Sequence, residues 1–244
     1  YYGVFFGLLG FTMNVTKMYF VQFRPFELDA DIKMGDESCP KEYGNPSGHS
    51  MFAPAFGGLI LLDIMTSCIK LSDLHQVGMA VASAAFYFVM GYSRFILGVH
   101  ALNQVLFGFA FGIWIALAYH FICKKLIFDY VKNTIYHDNM HKACSMTDAA
   151  MGLFFTLDLL FIQFCLYYHT KSNEVIPDNV LANVKAKCTN YTPDTHFIKA
   201  TEEHIWLVTF FGFFCFLYVI IVKQFFPHGF GIFPLFMGIA GLCE

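Results

Sequence analysis

Arginine is scarce in this chain, which contains only two, Arg24 and Arg94, among its 15 lysines and arginines. Charged residues make up 14% of the sequence, against 57% hydrophobic residues and 31 phenylalanines, and this balance excludes an ordinary soluble globular domain. The net charge of −3 provides no basic surface for a nucleic acid. Internal repeats, low-complexity tracts and heptad arrays are also absent. We therefore expect one domain embedded in a lipid bilayer.

Seven apolar runs of roughly 15 to 23 residues follow one another, and about 20 residues are needed to cross a ~30 Å hydrocarbon core. They predict an all-α, polytopic transmembrane helix bundle of about six to seven spans. The runs lie at 1–23, 49–69, 77–92, 101–123, 149–168, 204–222 and 229–243. The first run has no small-residue cleavage site, so we interpret it as a span and not as a signal peptide.

The chemistry-bearing motifs all fall in the first half of the chain. We expect residues 1–123 to form a core that carries them and residues 124–244 to add further spans to the same membrane domain. Two polar stretches, 124–148 and 169–203, interrupt the second half. The stretch 169–203 is long enough to fold partly as a cap.

Alternating spans would place residues 24–48, 93–100 and 169–203 on one membrane face. Lysines outside the motifs divide evenly between the faces, but those on the opposite face lie in shorter loops near span ends, where the positive-inside bias acts most. The first face also carries a glycosylation sequon at Asn190 and two cysteines, Cys39 and Cys188, that can pair in an oxidising compartment. We therefore predict that the face carrying the motifs is non-cytosolic, with an endomembrane location favoured. The other six cysteines are expected to be ordinary buried thiols.

The first motif is Lys17-x6-Arg24-Pro25. Its two cations are seven residues apart, which predicts one helix face with about 10 Å between them along the axis. Pro25 is expected to end the helix at Arg24. A guanidinium offers a planar fork of donors that matches the oxygens of a phosphate. The alternative is a pair of interfacial cations that extend to lipid headgroups.

The second motif is Pro46-Ser47-Gly48-His49. Asn45 as an N-cap, with Pro46 at the first helical position, predicts a helix start at this point. The backbone N–H groups of residues 47–49 would then be free to bind an anion. The Ser47 hydroxyl adds a donor and Gly48 permits a close approach. A capped transmembrane helix with an incidental histidine is the competing interpretation.

The third motif runs from Ser93-Arg94 to His100, at the junction of two predicted spans. A histidine that attacks phosphorus needs one free ring nitrogen and a second, protonated nitrogen held by an acceptor. Gln104 lies one helical turn after His100, and its amide oxygen is a candidate for that acceptor. A lone histidine at a span boundary is usually structural, but its combination with the other two motifs favours chemistry.

With these motifs in this order on one predicted face, the chain resembles the type 2 phosphatidic acid phosphatase superfamily. This superfamily includes lipid phosphate phosphatases, glucose-6-phosphatase and the vanadium haloperoxidases. Its signatures are K-x6-RP, PSGH and SR-x5-H-x3-D; residues 17–104 reproduce the first two in full and the third through its histidine. The resemblance implies a helical, metal-independent membrane phosphatase without a cofactor. Its substrate would be a phosphorylated lipid or a small phosphomonoester, with lipid slightly favoured.

The resemblance also implies a role for each motif residue. His100 would be the nucleophile that forms a phosphohistidine, and His49 would protonate the leaving oxygen and later activate water. Five residues would hold the phosphate oxygens: Lys17, Arg24, Ser47, Gly48 and Arg94. This division of labour suits phosphoryl transfer, which depends on placement and charge stabilisation.

The chain departs from the family pattern at Gln104, where the signature has an aspartate. A glutamine orients the imidazole but does not stabilise its positive charge as a carboxylate would. A catalytically weak or inactive protein with a structural or regulatory role is therefore the alternative function. Three acids follow the first motif on the same predicted face, but no spacing places them near Gln104: Glu27, Asp29 and Asp31.

Two further carboxylates lie inside predicted spans. Asp63 follows His49 by fourteen residues, roughly 21 Å along a helix, so it cannot reach His100. For Asp63 and Asp158 we expect polar contacts between helices. A transporter that uses both is a third hypothesis, since intramembrane acids are often functional.

Overall fold

The computed structural model describes residues 2–35, 39–67, 71–126, 129, 146–194 and 196–203. Within these ranges the regular secondary structure is helical and contains no strand, which confirms the predicted all-α class. The helices are α1 (Tyr2–Phe20), α2 (Pro25–Leu28), α3 (Gly48–Met65), α4 (Asp73–Ile96), α5 (Leu102–Ala118), α6 (Met146–Asn173) and α7 (Asp178–Lys187). A π-helical turn, Tyr119–Cys123, extends α5.

Three helices in the described part of the chain are long and apolar enough to cross a membrane: Gly48–Met65, Asp73–Ile96 and Leu102–Leu126. They coincide with the second, third and fourth predicted spans. The first and fifth predicted runs form α1 and α6, which contain 19 and 28 residues. The runs at 204–222 and 229–243, and most of the stretch 124–148, lie outside the described residues, so the total number of spans stays a prediction.

The two helices that begin at the second and third motifs pack closely through glycines. Gly108 and Gly112 lie one turn apart on the same face of α5, a spacing that lets helix backbones approach each other in membranes. A Cβ atom at Gly108 would lie 2.9 Å from the carbonyl oxygen of Ser47, just before α3. A Cβ atom at Gly112 would meet the backbone of Met51. The start of α3 is therefore held against the first turns of α5.

The inner surfaces of α1, α3 and α5 form an apolar core that includes Phe5, Leu9, Met51 and Leu59. At the end of α3 remote from His49, the Asp63 carboxylate accepts hydrogen bonds from Tyr2, His120 and Lys124, at 2.7, 2.9 and 2.7 Å. These bonds tie α3 to α1 and to the end of α5, so the expected interhelical contact of Asp63 is confirmed.

Asp158 differs from Asp63, because it is exposed on α6 and makes no polar contact within the described residues. The expectation of an interhelical contact is therefore not met for Asp158 in this part of the chain. No observation joins the two carboxylates, and the transporter hypothesis stays untested.

The stretch 169–203 folds over the loop that follows α1, as predicted for a cap. Helix α7 packs on α2, and Lys187 Nζ donates hydrogen bonds to the carbonyl oxygens of Phe26, Asp29 and Ile32 at 2.9, 2.6 and 2.9 Å. The two segments share an apolar cluster that includes Phe26, Tyr43, Val180, Val184 and Phe197. A cap built in this way holds α2, the residues up to Ile32 and Tyr43 in place.

A disulfide joins Cys39 to Cys188, so the predicted pairing is present in the structure. The side chain of Asn190, the sequon residue, lies beside this bond. It accepts a hydrogen bond from the Cys39 N–H at 3.0 Å and donates one to the Cys39 carbonyl at 2.9 Å. The sequon asparagine thus contributes to the attachment of the cap.

Candidate active site

Lys17 and Arg24 are brought together by a break in the helix between them. α1 ends at Phe20, and Val21 has a φ angle of 47°, a conformation that is rare for a β-branched residue. Arg24 is extended, with φ −84° and ψ 156°, as residues before a proline usually are. The prediction that the helix continues to Arg24 is therefore wrong, because Val21 leaves the helical conformation one turn earlier.

Both cations of the first motif are buried, with about 1% of each side chain exposed, and they converge on Glu42. Lys17 Nζ donates to Glu42 Oε1 at 2.7 Å and to the Tyr43 carbonyl at 3.0 Å. Arg24 donates from Nη2 to the same carboxylate oxygen at 3.2 Å and from Nε to the Glu42 carbonyl at 3.0 Å. One anionic side chain thus offsets part of the charge of two buried cations.

The guanidinium of Arg24 also reaches the third motif. Its Nη1 donates to the Val99 carbonyl at 3.0 Å and lies 2.9 Å from His100 Nε2. Because a guanidinium has only donors, Nε2 of His100 accepts this bond and carries no proton. Burial, reinforced by the charges of Arg24 and Lys17, holds the pKa of His100 well below its usual range. His100 is therefore neutral at physiological pH.

The other ring nitrogen of His100 is the donor. Nδ1 lies 2.9 Å from the Gly44 carbonyl and 3.3 Å from Gln104 Oε1, so the predicted bond to Gln104 is present. The amide of Gln104 makes two more contacts: Oε1 accepts from the Ala101 N–H at 3.2 Å, and Nε2 donates to the Phe23 carbonyl at 3.0 Å. Gln104 thus uses both its acceptor and its donor, and a carboxylate could not make the second bond.

Gly44 is a site residue that the sequence analysis did not identify. A Cβ atom there would lie 2.7 Å from both the oxygen and the nitrogen of the Gln104 amide. Its own N–H donates to the Gln22 carbonyl at 2.7 Å. The absence of a side chain therefore allows the loop to touch His100 and Gln104 at once.

The second motif begins its helix later than predicted. Asn45 was expected as the N-cap, but α3 starts at Gly48 with Ser47 in the N-cap position. The Ser47 N–H donates to the Gln104 carbonyl at 3.1 Å, which holds this extended N-cap residue against α5. This N–H is consequently not free for an anion, contrary to the prediction. The N–H groups of Gly48 and His49 lie in the first turn, where no intrahelical acceptor exists.

The Ser47 side chain is buried, and its hydroxyl accepts a hydrogen bond from the Ser50 hydroxyl at 3.0 Å. His49 is exposed on the first turn of α3. It lies within electrostatic range of four charged residues from the other segments, namely Arg94, Glu42, Lys17 and Arg24. The histidine of the second motif therefore lies near charged residues of the first and third motifs.

Arg94 lies in the last turn of α4 and is partly buried, and its Nε donates to the Ser93 hydroxyl at 3.3 Å. The turn from Arg94 to His100 contains Gly98, which has a φ angle of 70°. A Cβ atom at Gly98 would lie 2.9 Å from the Lys33 carbonyl, so glycine is needed for both conformation and space. This turn delivers His100 to Arg24.

The first half of the chain matches a known protein family. A family model described as the PAP2 superfamily matches residues 1–127, which contain all three motifs. The chain belongs to the PAP2 superfamily. The predicted resemblance is thereby confirmed, and together with the three apolar helices it makes this PAP2 chain a membrane protein.

The PAP2 chain is also similar to a dolichyldiphosphatase of Saccharomyces cerevisiae (strain ATCC 204508 / S288c), with 33% identity over 109 residues. The match covers 45% of this chain and 45% of the relative, so the chain aligns with about half the length of that protein. No solved structure matches the chain significantly.

Two acids of this PAP2 site were missed or left unplaced by the sequence. Glu42, whose carboxylate contacts both Lys17 and Arg24, belongs to none of the three motifs, so no pattern in the sequence identifies it. Glu27 is buried, and its carboxylate accepts a hydrogen bond from the Arg24 backbone N–H at 2.6 Å. Burial, partly opposed by Arg24, raises the pKa of Glu27 to about 7. Within the described ranges, no group of three His, Cys, Asp or Glu side chains is placed to hold a metal ion.

Proposed function

We propose that this protein is a membrane phosphatase that removes phosphate from a phosphorylated lipid through a phosphohistidine at His100. The observation that carries the proposal is the state of His100: Nδ1 donates to Gly44 and Gln104, so the unprotonated Nε2 faces Arg24. That tautomer is the one a histidine nucleophile needs. Lys17 and Arg24 supply positive charge at the same point.

In the first step, a phosphoryl oxygen takes over the N–H of Arg24 Nη1 that His100 Nε2 accepts in the empty site. The freed Nε2 lone pair attacks phosphorus, and the bond from phosphorus to the leaving oxygen breaks. His49 gives its proton to that oxygen, and the departing lipid takes the bonding electron pair. In the second step, His49 accepts a proton from water, whose oxygen attacks phosphorus. The N–P bond then breaks, its electrons return to Nε2, and inorganic phosphate leaves. Arg24, Lys17 and Arg94 balance the charge on the phosphoryl oxygens.

Two observations favour a lipid over a sugar phosphate. A cavity of about 560 Å³ lies beside the site, lined by Phe23 and Pro25, which flank Arg24, and by Gln104, with Leu28 and Ile32 as apolar walls. Gln22, Asp29 and Asn103 also line it, so its apolar walls suit a hydrocarbon chain and its polar residues a headgroup. The relative described above is named for a lipid diphosphate. A polyprenyl diphosphate is therefore the first substrate to test.

We propose a multi-pass topology in which the site lies on the non-cytosolic side of an endomembrane. The disulfide Cys39–Cys188 lies in the cap over the site, and disulfides persist in oxidising compartments. Lys124 lies with Asp63 at the other end of α3, the side on which the positive-inside bias predicts the cytosol.

The proposed activity is tested by phosphate release from four substrates: a polyprenyl diphosphate, phosphatidic acid, sphingosine phosphate and glucose 6-phosphate. We expect release from at least one lipid, fastest from the diphosphate, at least about tenfold slower release from glucose 6-phosphate, and inhibition by orthovanadate. The assay uses the purified full chain in detergent. Absence of release from all four would favour the non-catalytic alternative, for which the glutamine at position 104 is the specific argument.

The dependence of kcat/KM on pH should change when the neutral amide of Gln104 is replaced by a carboxylate. In the wild type, the pKa of His100 is far below its usual value, so His100 stays neutral in mildly acidic solution. The fall of kcat/KM at low pH, which follows protonation of His100, should therefore lie below pH 6.5. Gln104→Glu places a carboxylate on Nδ1, which favours the imidazolium and raises this pKa by about 1 to 3 units. The acid limb of kcat/KM should move to higher pH by that amount.

Both proteins are measured with the same substrate, so substrate ionisation cancels from the difference. Gln76→Glu is the matched control, because Gln76 lies at the start of α4 and bonds only locally to the Leu71 carbonyl. It should leave the profile unchanged. An active Gln104→Glu protein with the wild-type acid limb would refute the assignment of that limb to His100.

A further inference from the structure

Glu42 occupies the donors that the proposed mechanism reserves for phosphate. Lys17 uses two of its three N–H donors and Arg24 four of its five. The Glu42 side chain takes one donor from each cation through the same oxygen, Oε1. A phosphate that binds both cations must therefore compete with this carboxylate.

The exposure of the three groups differs in a way that suits such competition. Lys17 and Arg24 are each 1% exposed, whereas 19% of the Glu42 side chain is exposed. Two buried cations without a counter-ion would be strongly unfavourable, so the empty site needs an anion. Glu42 supplies one in direct contact with both cations, Glu27 lies within electrostatic range of them, and Glu42 is the most solvent-exposed member of the trio.

The charge balance points in the same direction. Lys17 and Arg24 with Glu42 carry a net charge of +1, and Arg94, which is near His49, makes it +2. Glu27, which lies within electrostatic range of both cations and has a pKa of about 7, lowers these sums by part of one charge at neutral pH. Without the carboxylate of Glu42, the net charge of the site would be more positive by one, and the site would bind the inorganic phosphate product more tightly. Product release limits turnover in many enzymes.

We infer that Glu42 is an internal competitor of phosphate, a residue that neutralises Lys17 and Arg24 in the empty site and sets the affinity for dianionic phosphate groups. This inference rests on the proposed function. Glu42 acts through the two cations, so it is a positioning residue. The ligands with which Glu42 competes are the terminal phosphate of the substrate and the free phosphate product.

The test compares the wild type with Glu42→Gln, which keeps the size and the acceptor oxygen but removes the charge. The dissociation constants of inorganic phosphate and orthovanadate are measured by calorimetry on the full chain, together with KM and kcat. We expect Glu42→Gln to bind phosphate about tenfold more tightly, with a lower KM and a lower kcat. Glu202→Gln, a pair partner of Lys199 at the surface, is the control and should match the wild type.

A purely structural role for Glu42 predicts the opposite sign, since loosened cations would bind phosphate more weakly. Equal or weaker phosphate binding by a folded Glu42→Gln protein, beside a wild type that binds and hydrolyses, would overturn this inference alone. A wild type that neither binds phosphate nor releases it would overturn the proposed function as well.

A second measurement needs no variant and covers the case in which Glu42→Gln does not fold. In an experimental structure of the wild type with vanadate, we expect the carboxylate of Glu42 to have left Lys17 Nζ, Arg24 Nη2 or both. Vanadate bound beside His100 with both contacts to Glu42 intact would contradict the competition.

Discussion

Replacing His100 with alanine is expected to reduce kcat for phosphate release by about 10⁴-fold or more, the scale on which enzymes lose activity without their nucleophile. The buried ring presents Nε2 to Arg24 and holds Nδ1 against Gly44 and Gln104. No other histidine of the described residues contacts Arg24 in this way, so another side chain would not replace it. Initial rates under substrate saturation measure the loss.

His75→Ala is the matched control, because His75 is exposed at the start of α4 and contacts Ser72. It should retain wild-type activity. Phosphate binding by His100→Ala should survive within about tenfold, since Lys17 and Arg24 remain. A His100→Ala protein that still releases phosphate at a tenth of the wild-type rate would exclude His100 as the nucleophile.

Arg24→Lys is expected to lower kcat/KM by about 10³-fold, although it preserves the charge. Arg24 joins three segments at once: Nε and Nη2 hold Glu42, and Nη1 holds the Val99 carbonyl and His100 Nε2. A lysine has a single ammonium group and cannot donate in these separate directions. Phosphate oxygens would lose the planar fork, and His100 would lose the contact that orients its Nε2.

The only other arginine provides the comparison. Arg94 is partly buried, and its hydrogen bond among the described residues goes to the neighbouring Ser93. Arg94→Lys should therefore cost less, about tenfold in kcat/KM. Similar melting temperatures of the two variants would separate catalysis from folding. Equal losses at both positions would show that the contacts of Arg24 add nothing to its charge.

Several features of the site followed from local patterns. The order of the motifs and the alternation of spans predicted that the segments around Arg24 and His100 share one face, and these two residues are in contact. The four-residue spacing predicted the bond from His100 to Gln104. The cysteines on the same predicted face indicated the disulfide Cys39–Cys188. Each of these depends on spacing or on membrane topology, which sequence records directly.

The helix ends were predicted less well, because long-range contacts set them. α1 ends at Phe20 since Val21 leaves the helical conformation, and no proline or glycine marks that position. α3 begins at Gly48 because the Ser47 N–H donates to the carbonyl of Gln104, 57 residues later in the sequence. Local capping preferences do not contain this information.

Glu42 and Gly44 were not predicted for the same reason. Their roles arise only when residues 39–47 are folded between α1, the start of α5 and the cap. The cap contributes through Tyr43, whose hydroxyl donates to Glu174 and whose ring stacks on Phe197 at 5.9 Å. The residues on either side of Tyr43 are thereby fixed against the cations and against Gln104. Composition of a loop does not reveal such packing.

The central claim is that His100 accepts the phosphoryl group, and trapping that intermediate tests it most directly. The wild type is mixed with substrate labelled in its terminal phosphate, quenched within milliseconds in alkali, where phosphohistidine survives, and digested for mass spectrometry. We predict label on the peptide that contains His100, with none in His100→Ala. Rapid turnover with no labelled histidine, or with the label on His49, would contradict the account.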